Sequence, residues 1–135
     1  MILVDLNVLL DVIQQREPYY RASAAVVEEV IHGKTTAALP AHAVTTLYYI
    51  VGRYRDREAA EGVVDWLLRY FSVAAVGRAE LLRTRALGSP DFEDAVVAAS
   101  AEAEGCGAIV TRNVKDFPGS PVEVMTPEEF LMGPE

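Results

Sequence analysis

Three aspartates are the residues of this chain whose type and position best suit chemistry. Asp5 ends an apolar run, Asp94 lies near the start of a predicted helix, and Asp116 follows a second apolar run. Carboxylates that converge repel one another unless a cation lies among them. Hard oxygen donors without a histidine or cysteine cluster suit Mg²⁺ or Mn²⁺, and such ions commonly support reactions at phosphates.

Each acid also has a simpler explanation that has to be weighed. Aspartate is almost never fully buried without a partner, so a packing role explains Asp5 poorly. Acids in the first turn of a helix interact favourably with its dipole, which explains Asp91 and Glu93 equally well. Asp94 stands among small apolar residues typical of a packed helix, whereas spacing alone favours an ordinary loop position for Asp116.

Composition limits the class of protein. The 135 residues fit a single domain over 1–135, with 51% hydrophobic and 24% charged residues. The net charge of -8 argues against loose, charge-driven binding to nucleic acid, although carboxylates in a metal site are neutralised by the cation they hold. No apolar run reaches the roughly 18–20 residues of a membrane span, and no signal peptide is present, so we expect a cytoplasmic location without membrane attachment.

Cysteine and histidine are too scarce for several kinds of site. Cys106 is the only cysteine, which excludes a disulfide within one chain and a cysteine-based zinc site. His32 and His42 are the only histidines, which excludes a multi-histidine metal centre. The acidic residues are therefore the main candidates for holding a metal.

Strands and helices alternate along the chain. The apolar and turn patterns predict strands at residues 1–4, 35–39, 72–76, 108–111 and 122–125. They predict helices at residues 6–13, 19–31, 42–54, 58–71, 78–87 and 91–104, and another from residue 126. In the third of these helices we expect Tyr48 to face the core. This alternation predicts a parallel sheet covered on both faces, whose strand ends bring Asp5 and Asp116 to one edge.

Three motifs, in this order and at these separations, resemble a known family. They are VDLNVLLD at 4–11, DFEDA at 91–95 followed by an alanine-rich helix, and TRNVKDF at 111–117. Across nearly its whole length the chain resembles the PIN domain, and most closely the small bacterial and archaeal PIN proteins that include VapC-type toxins. The resemblance implies a three-layer α/β/α fold with a central parallel sheet of four to five strands.

The resemblance also implies an activity and a set of site residues. It implies a Mg²⁺- or Mn²⁺-dependent endoribonuclease in which Asp5, Asp94 and Asp116 are the catalytic and metal-binding acids. Thr111 and Asn113 match polar residues that support the metal.

The remaining candidates surround these acids. Asp91 matches an auxiliary acid, and Asn7 is also explained as a first-turn residue that bonds to backbone. Thr46 stands where such PIN domains carry a glutamate, before the stretch LYYI, and Glu93 is placed to compensate. Arg112, beside the site, is a candidate contact for a substrate phosphate.

The resemblance implies RNA as substrate, an antitoxin protein as partner and a homodimer using the third and fourth helices. Two other functions stay open. A catalytically weak or inactive PIN-fold module would act by binding protein or RNA. A phosphate-transferring hydrolase with Asp5 as nucleophile is less well supported, because Asn7 stands where such enzymes usually carry a second aspartate.

Overall fold

A computed structural model describes residues 1–133, and across them five strands form one parallel sheet. The strands are β1 (Ile2–Val4), β2 (Ala37–Pro40), β3 (Ser72–Ala74), β4 (Ala108–Val110) and β5 (Glu123–Met125). Their order across the sheet is β3-β2-β1-β4-β5, and every neighbouring pair runs parallel. The predicted α/β class and parallel sheet are confirmed.

Helices connect these strands close to the predicted positions. They are α1 (Leu6–Ile13), α2 (Tyr20–Ile31), α3 (Ala41–Tyr54), α4 (Arg57–Tyr70), α5 (Arg78–Leu87), α6 (Phe92–Glu104) and α7 (Pro127–Met132), with one 3₁₀ turn at Val114–Asp116. Among these described helices, none is both long and apolar enough to cross a membrane.

The two faces of the sheet carry separate apolar cores, because successive strand side chains point to opposite sides. In β1, Ile2 and Val4 pack with α1, α2 and the buried residues Leu47 of α3 and Leu67 of α4. Leu3, between them, packs with α6 on the opposite face. Helices thus cover both faces, which gives the three-layer α/β/α arrangement.

The sheet has a switch point between β1 and β4. From β1 the chain builds outward through β2 and β3 on one side, and it returns to add β4 and β5 on the other. Ligands of such sheets bind outside the strand carboxyl ends at this point. Val4 pairs with Val110, so the residues that follow them, Asp5 and Thr111, emerge side by side.

The prediction that Tyr48 faces the core is wrong, since this residue is 39% exposed. The buried residues of α3 are Ala43, Leu47 and Val51, a strict four-residue repeat along one narrow line. Position 48 lies about 100° around the helix from position 47. It therefore falls outside the line of fully buried residues of α3.

Candidate active site

Asp5 is the junction between β1 and α1. Its extended backbone (φ -73°, ψ 156°) ends the strand, and its Oδ1 accepts a hydrogen bond from the Leu6 amide at 2.9 Å. An aspartate in this capping position satisfies an amide that the helix itself leaves free. The local sequence thus fixes the carboxylate at the carboxyl edge of the sheet, where it is only 9% exposed.

The second oxygen of Asp5 is held by neutral donors. Thr111 Oγ1 donates to Asp5 Oδ2 at 3.0 Å, and Asn7 Nδ2 donates to the same oxygen at 3.4 Å. Asn7 Nδ2 also donates to Thr111 Oγ1 at 3.0 Å. Burial raises the pKa of Asp5 above its usual value, and the hydrogen bonds from Thr111 and Leu6 offset part of that rise.

Asp5, Asp94 and Asp116 line one cavity of about 170 Å³ at this edge. The other polar residues that line it are Asn7, His42, Glu93 and Asn113. Partial burial raises the pKa of Asp94 to about 6, and the charges of Asp91, Asp5, Asp116 and Glu93 add to that rise. Asp5 and Asp116 are therefore close enough to Asp94 for their charges to oppose its ionisation.

The donor set fits a hard divalent cation. Three carboxylates from different segments face a small cavity, and within residues 1–133 no arginine or lysine forms an ion pair with any of them. In the same described part of the chain, no three acidic, histidine or cysteine side chains stand close enough to form a ready-made ion cage. That spacing is compatible with Mg²⁺, which usually keeps several of its own waters.

Three of the predicted supporting residues, Asp91, Thr46 and Thr111, lie outside the cavity lining. Asp91 caps α6, accepts a hydrogen bond from the Asp94 amide at 3.0 Å and is exposed. Thr46 does not line the cavity, whereas His42, one helical turn earlier in α3, does. Glu93 reaches His42, with Oε1 3.6 Å from Nε2.

Arg112 is engaged away from the cavity. Its Nε donates to Asp11 Oδ2 at 3.0 Å and to Oδ1 at 3.2 Å, and its guanidinium lies 4.5 Å from the centroid of the Tyr19 ring. Thr111, its neighbour, is fully buried behind Asp5. The side chain of Arg112 is thus engaged with Asp11 and Tyr19, while its backbone begins the loop that carries Asp116.

Sequence reasoning did not single out Asp11 or His42. Asp11 is an acid inside an otherwise apolar helical segment, one turn after Asn7, which is a signal for a buried partner. His42 follows β2 at the same edge as Asp5, so the strand-polarity argument applied to Asp5 would also have found it.

Comparisons with known proteins agree with this architecture. The family model described as PIN domain matches residues 1–115. Ribonuclease VapC1 of Aquifex aeolicus (strain VF5) is 25% identical over 134 residues, covering 96% of this chain and 92% of that protein.

Solved structures share the fold at lower identity. A toxin-antitoxin complex from Klebsiella pneumoniae matches with a TM-score of 0.72 and 22% identity, covering 94% of this chain and 98% of that one. VapBC2 from Rickettsia felis, bound to a DNA fragment from its promoter, matches with a TM-score of 0.68 and 19% identity, covering 93% and 98%. With the family model spanning most of its length, the chain belongs to the PIN domain family.

Proposed function

We propose that this protein is a Mg²⁺- or Mn²⁺-dependent endoribonuclease that hydrolyses RNA phosphodiester bonds, and that it is the toxin of a toxin–antitoxin pair. One observation carries the proposal: Asp5, Asp94 and Asp116, from three separate segments, line one cavity at the switch point of the sheet. The likeness to Ribonuclease VapC1 over almost the whole of both chains supports RNA as the substrate.

Asp5, Asp94 and Asp116 would hold the cation. When bound there, a divalent cation supplies positive charge that offsets the charge developing on the phosphate oxygens and makes a water molecule more acidic. Thr111 and Asn7 keep the Asp5 carboxylate in one orientation by donating to its Oδ2. A fixed orientation matters because a small displacement of a catalytic group costs much of the rate.

His42 and Asn113 are the cavity residues whose donors would meet the substrate. Both line the cavity, and the exposed side chain of Glu93 lies beside His42. His42 is a donor that can approach a phosphate oxygen, while Asn113 can donate to a ribose or phosphate oxygen. These side chains would orient the RNA strand over the three aspartates.

The experiment is an RNA cleavage assay in three arms. Wild-type protein with Mn²⁺ is expected to cleave RNA, and excess EDTA is expected to stop the cleavage. Asp5→Asn is expected to lower the rate by about 100-fold or more, since it removes one negative ligand charge from the site. Glu123→Gln, on β5 in the same sheet but outside the cavity lining, is the matched control and should cleave normally. Cleavage that survives both EDTA and Asp5→Asn would refute the proposal.

A protein partner is part of the proposal. The similar solved structures include a toxin-antitoxin complex, and a net charge of -8 suits a basic peptide that could enter an acid-lined cavity. The measurement is a titration of the protein with the product of a neighbouring small reading frame, followed by the cleavage assay. Loss of cleavage on binding is expected for an antitoxin.

We also propose a homodimer formed through α3 and α4. Tyr49 and Tyr54 of α3 and Leu68 of α4 are large apolar side chains exposed on these adjacent helices. Exposed apolar surface of this kind commonly marks an interface. Light scattering at micromolar concentration should give the mass of a dimer, and Tyr49→Glu should give that of a monomer.

An inactive PIN-fold module that acts by binding protein or RNA is the second candidate. It is favoured by the spacing of the acids, since no ready-made three-residue ion cage exists among residues 1–133, and by a threonine at position 46. Calorimetric titration separates the two candidates. The ribonuclease requires Mn²⁺ binding that depends on Asp5, whereas the binding module requires none.

A further inference from the structure

Arg112 forms a partly buried ion pair with Asp11, outside the cavity lining of the proposed active site. Its Nε donates to both carboxylate oxygens of Asp11, which is 0% exposed, and its guanidinium stacks on Tyr19. We propose that Arg112 is a positioning residue that fixes the loop carrying Asp116, and is not a contact for the RNA phosphate. This inference rests on the proposed ribonuclease function, because Asp116 is there a metal-holding acid.

Two residues of α1, Asn7 and Asp11, lie one turn apart and accept hydrogen bonds from the backbone and from the side chain of Arg112. Asn7 Oδ1 accepts a hydrogen bond from the Arg112 backbone amide at 3.3 Å, while Asp11 accepts from the side chain. Ser23 Oγ of α2 donates to Asp11 Oδ2 at 3.2 Å and so orients the carboxylate. Because backbone and side chain are both held, the direction in which the chain leaves β4 is fixed.

The loop from Arg112 to Asp116 is short and internally bonded. The Asn113 amide donates to Thr111 Oγ1 at 3.1 Å, and the Asp116 amide donates to the Asn113 carbonyl at 3.0 Å. Phe117, directly after Asp116, is buried in the core. Asp116 thus lies between Arg112 and Phe117, which are both held in place. Because the hydrogen-bonded loop between them is short, a displacement of Arg112 would also displace Asp116.

The geometry speaks against direct binding of RNA by Arg112. Its side chain is only 21% exposed and is absent from the cavity lining. Turning toward a phosphate would leave Asp11 as a buried carboxylate without its counter-ion, which is strongly unfavourable. The arginine therefore acts on the site indirectly, by setting the position of the loop that carries Asp116.

The first test compares Arg112→Lys with Arg83→Lys. Lysine keeps the positive charge but loses the planar fork and the stacking on Tyr19. Arg83 is the matched control because it pairs with Glu102 through Nε and Nη2, at 2.9 and 3.2 Å, on the half-exposed surface of α5 and α6.

For Arg112→Lys we expect kcat for a short RNA to fall about 10-fold and KM to stay within about 2-fold, because the loss lies in alignment. Arg83→Lys should change neither. A phosphate contact gives the reverse pattern: KM rises when the charge is removed in Arg112→Met, and Arg112→Lys is nearly normal. That pattern would overturn the proposal.

A second variant keeps the fold while it removes the ion pair. In Asp11→Leu/Arg112→Met the pair is replaced by apolar side chains of similar size, a change that buried pairs often tolerate. We expect this double variant to unfold at a temperature close to that of the wild type and still to lose kcat about 10-fold. A folded double variant with wild-type kcat would show that Arg112 only neutralises Asp11, and the proposal would fail.

Two readouts test positioning without cleavage. In EDTA, amide hydrogen exchange at residues 113–117 should be faster in Arg112→Lys and in the double variant than in the wild type. Binding of the RNA in EDTA should be unchanged. If wild-type protein cleaves no RNA, the proposed function fails, and exchange at 113–117 still decides whether Arg112 holds the loop: unchanged exchange would refute it.

Discussion

Two buried aspartates, Asp5 and Asp11, stand at opposite ends of α1 and are compensated in different ways. Asp11 is 0% exposed and accepts hydrogen bonds from the Arg112 guanidinium and from Ser23. Asp5 is 9% exposed, and the hydrogen bonds that its carboxylate accepts within residues 1–133 come from neutral groups: the Leu6 amide, Thr111 and Asn7. Of these two carboxylates, Asp11 is therefore paired with an arginine of the same chain, whereas Asp5 is held by neutral donors.

This difference separates Asp11, which is paired within the fold, from Asp5, which we propose is a functional acid. A buried carboxylate that lacks a counter-ion resists ionisation, and burial accordingly raises the pKa of Asp5. Nearby, Asp94 and Asp116 add negative charge to the same cavity. Within residues 1–133 no arginine or lysine forms an ion pair with these acids, and His42 is the basic side chain that lines the cavity. This excess of negative charge is suited to an external cation, as the proposed ribonuclease requires.

The largest expected change in stability comes from breaking the ion pair between Asp11 and Arg112. Asp11→Asn should lower the free energy of unfolding by about 3 kcal/mol, because it leaves the Arg112 charge without its partner. The melting temperature should fall by about 10 °C for a chain of this size. Thermal unfolding followed by circular dichroism measures the change, and Glu104→Gln at the exposed end of α6 is the control. A loss below about 1 kcal/mol would mean that the ion pair contributes little.

Ser23→Ala should have a smaller effect at the same place. It removes one hydrogen bond to the buried Asp11 carboxylate and keeps the arginine, so we expect a loss of about 1.5 kcal/mol. Urea unfolding at constant pH gives the value. The substitution leaves Asp5 and its donors untouched, and a loss as large as that of Asp11→Asn would show that the ion pair itself had been broken.

Asp94→Asn should stabilise the metal-free protein. The pKa of Asp94 is about 6 in the folded protein, against an ordinary value of 3.8. Between these two pH values the folded protein keeps a proton on Asp94 that the unfolded chain has lost. Its stability therefore falls as the pH rises from 3.8 to about 6, and this penalty is complete above that window.

Asparagine has no such penalty. Discounted for the partial exposure of Asp94, the gain should be about 1 kcal/mol at pH 7 in EDTA and absent at pH 3.5. Paired thermal unfolding of wild type and variant at the two pH values measures it. A variant that is less stable at pH 7 would indicate that the Asp94 carboxylate is favourably paired.

The sequence predicted the parts of the site that depend on local order. An apolar strand followed at once by a helix pattern places Asp5 at a strand end, and parallel strands share one edge, so Asp116 could be assigned to the same edge. Asp94 was harder to assign from pattern, since α6 follows α5 and not a strand. Its assignment depended on the DFEDA motif.

The partners of side chains were not predictable in the same way. Arg112 and Asp11 are 101 residues apart, and periodicity does not encode which distant side chains meet. The face of α3 was also misjudged at Tyr48, because apolar spacing alone allows two adjacent helix faces and packing selects one. The same helix presents His42 to the cavity where Thr46 was expected.

Calorimetric titration of the metal-free protein with Mn²⁺ tests the central claim most directly. The wild type should bind Mn²⁺, Asp5→Asn should bind it about 100-fold more weakly, and Glu123→Gln should bind it as the wild type does. A wild type that binds no Mn²⁺, or an Asp5→Asn variant that binds it equally tightly, would contradict the assignment of Asp5 as the anchor of a metal-dependent active site.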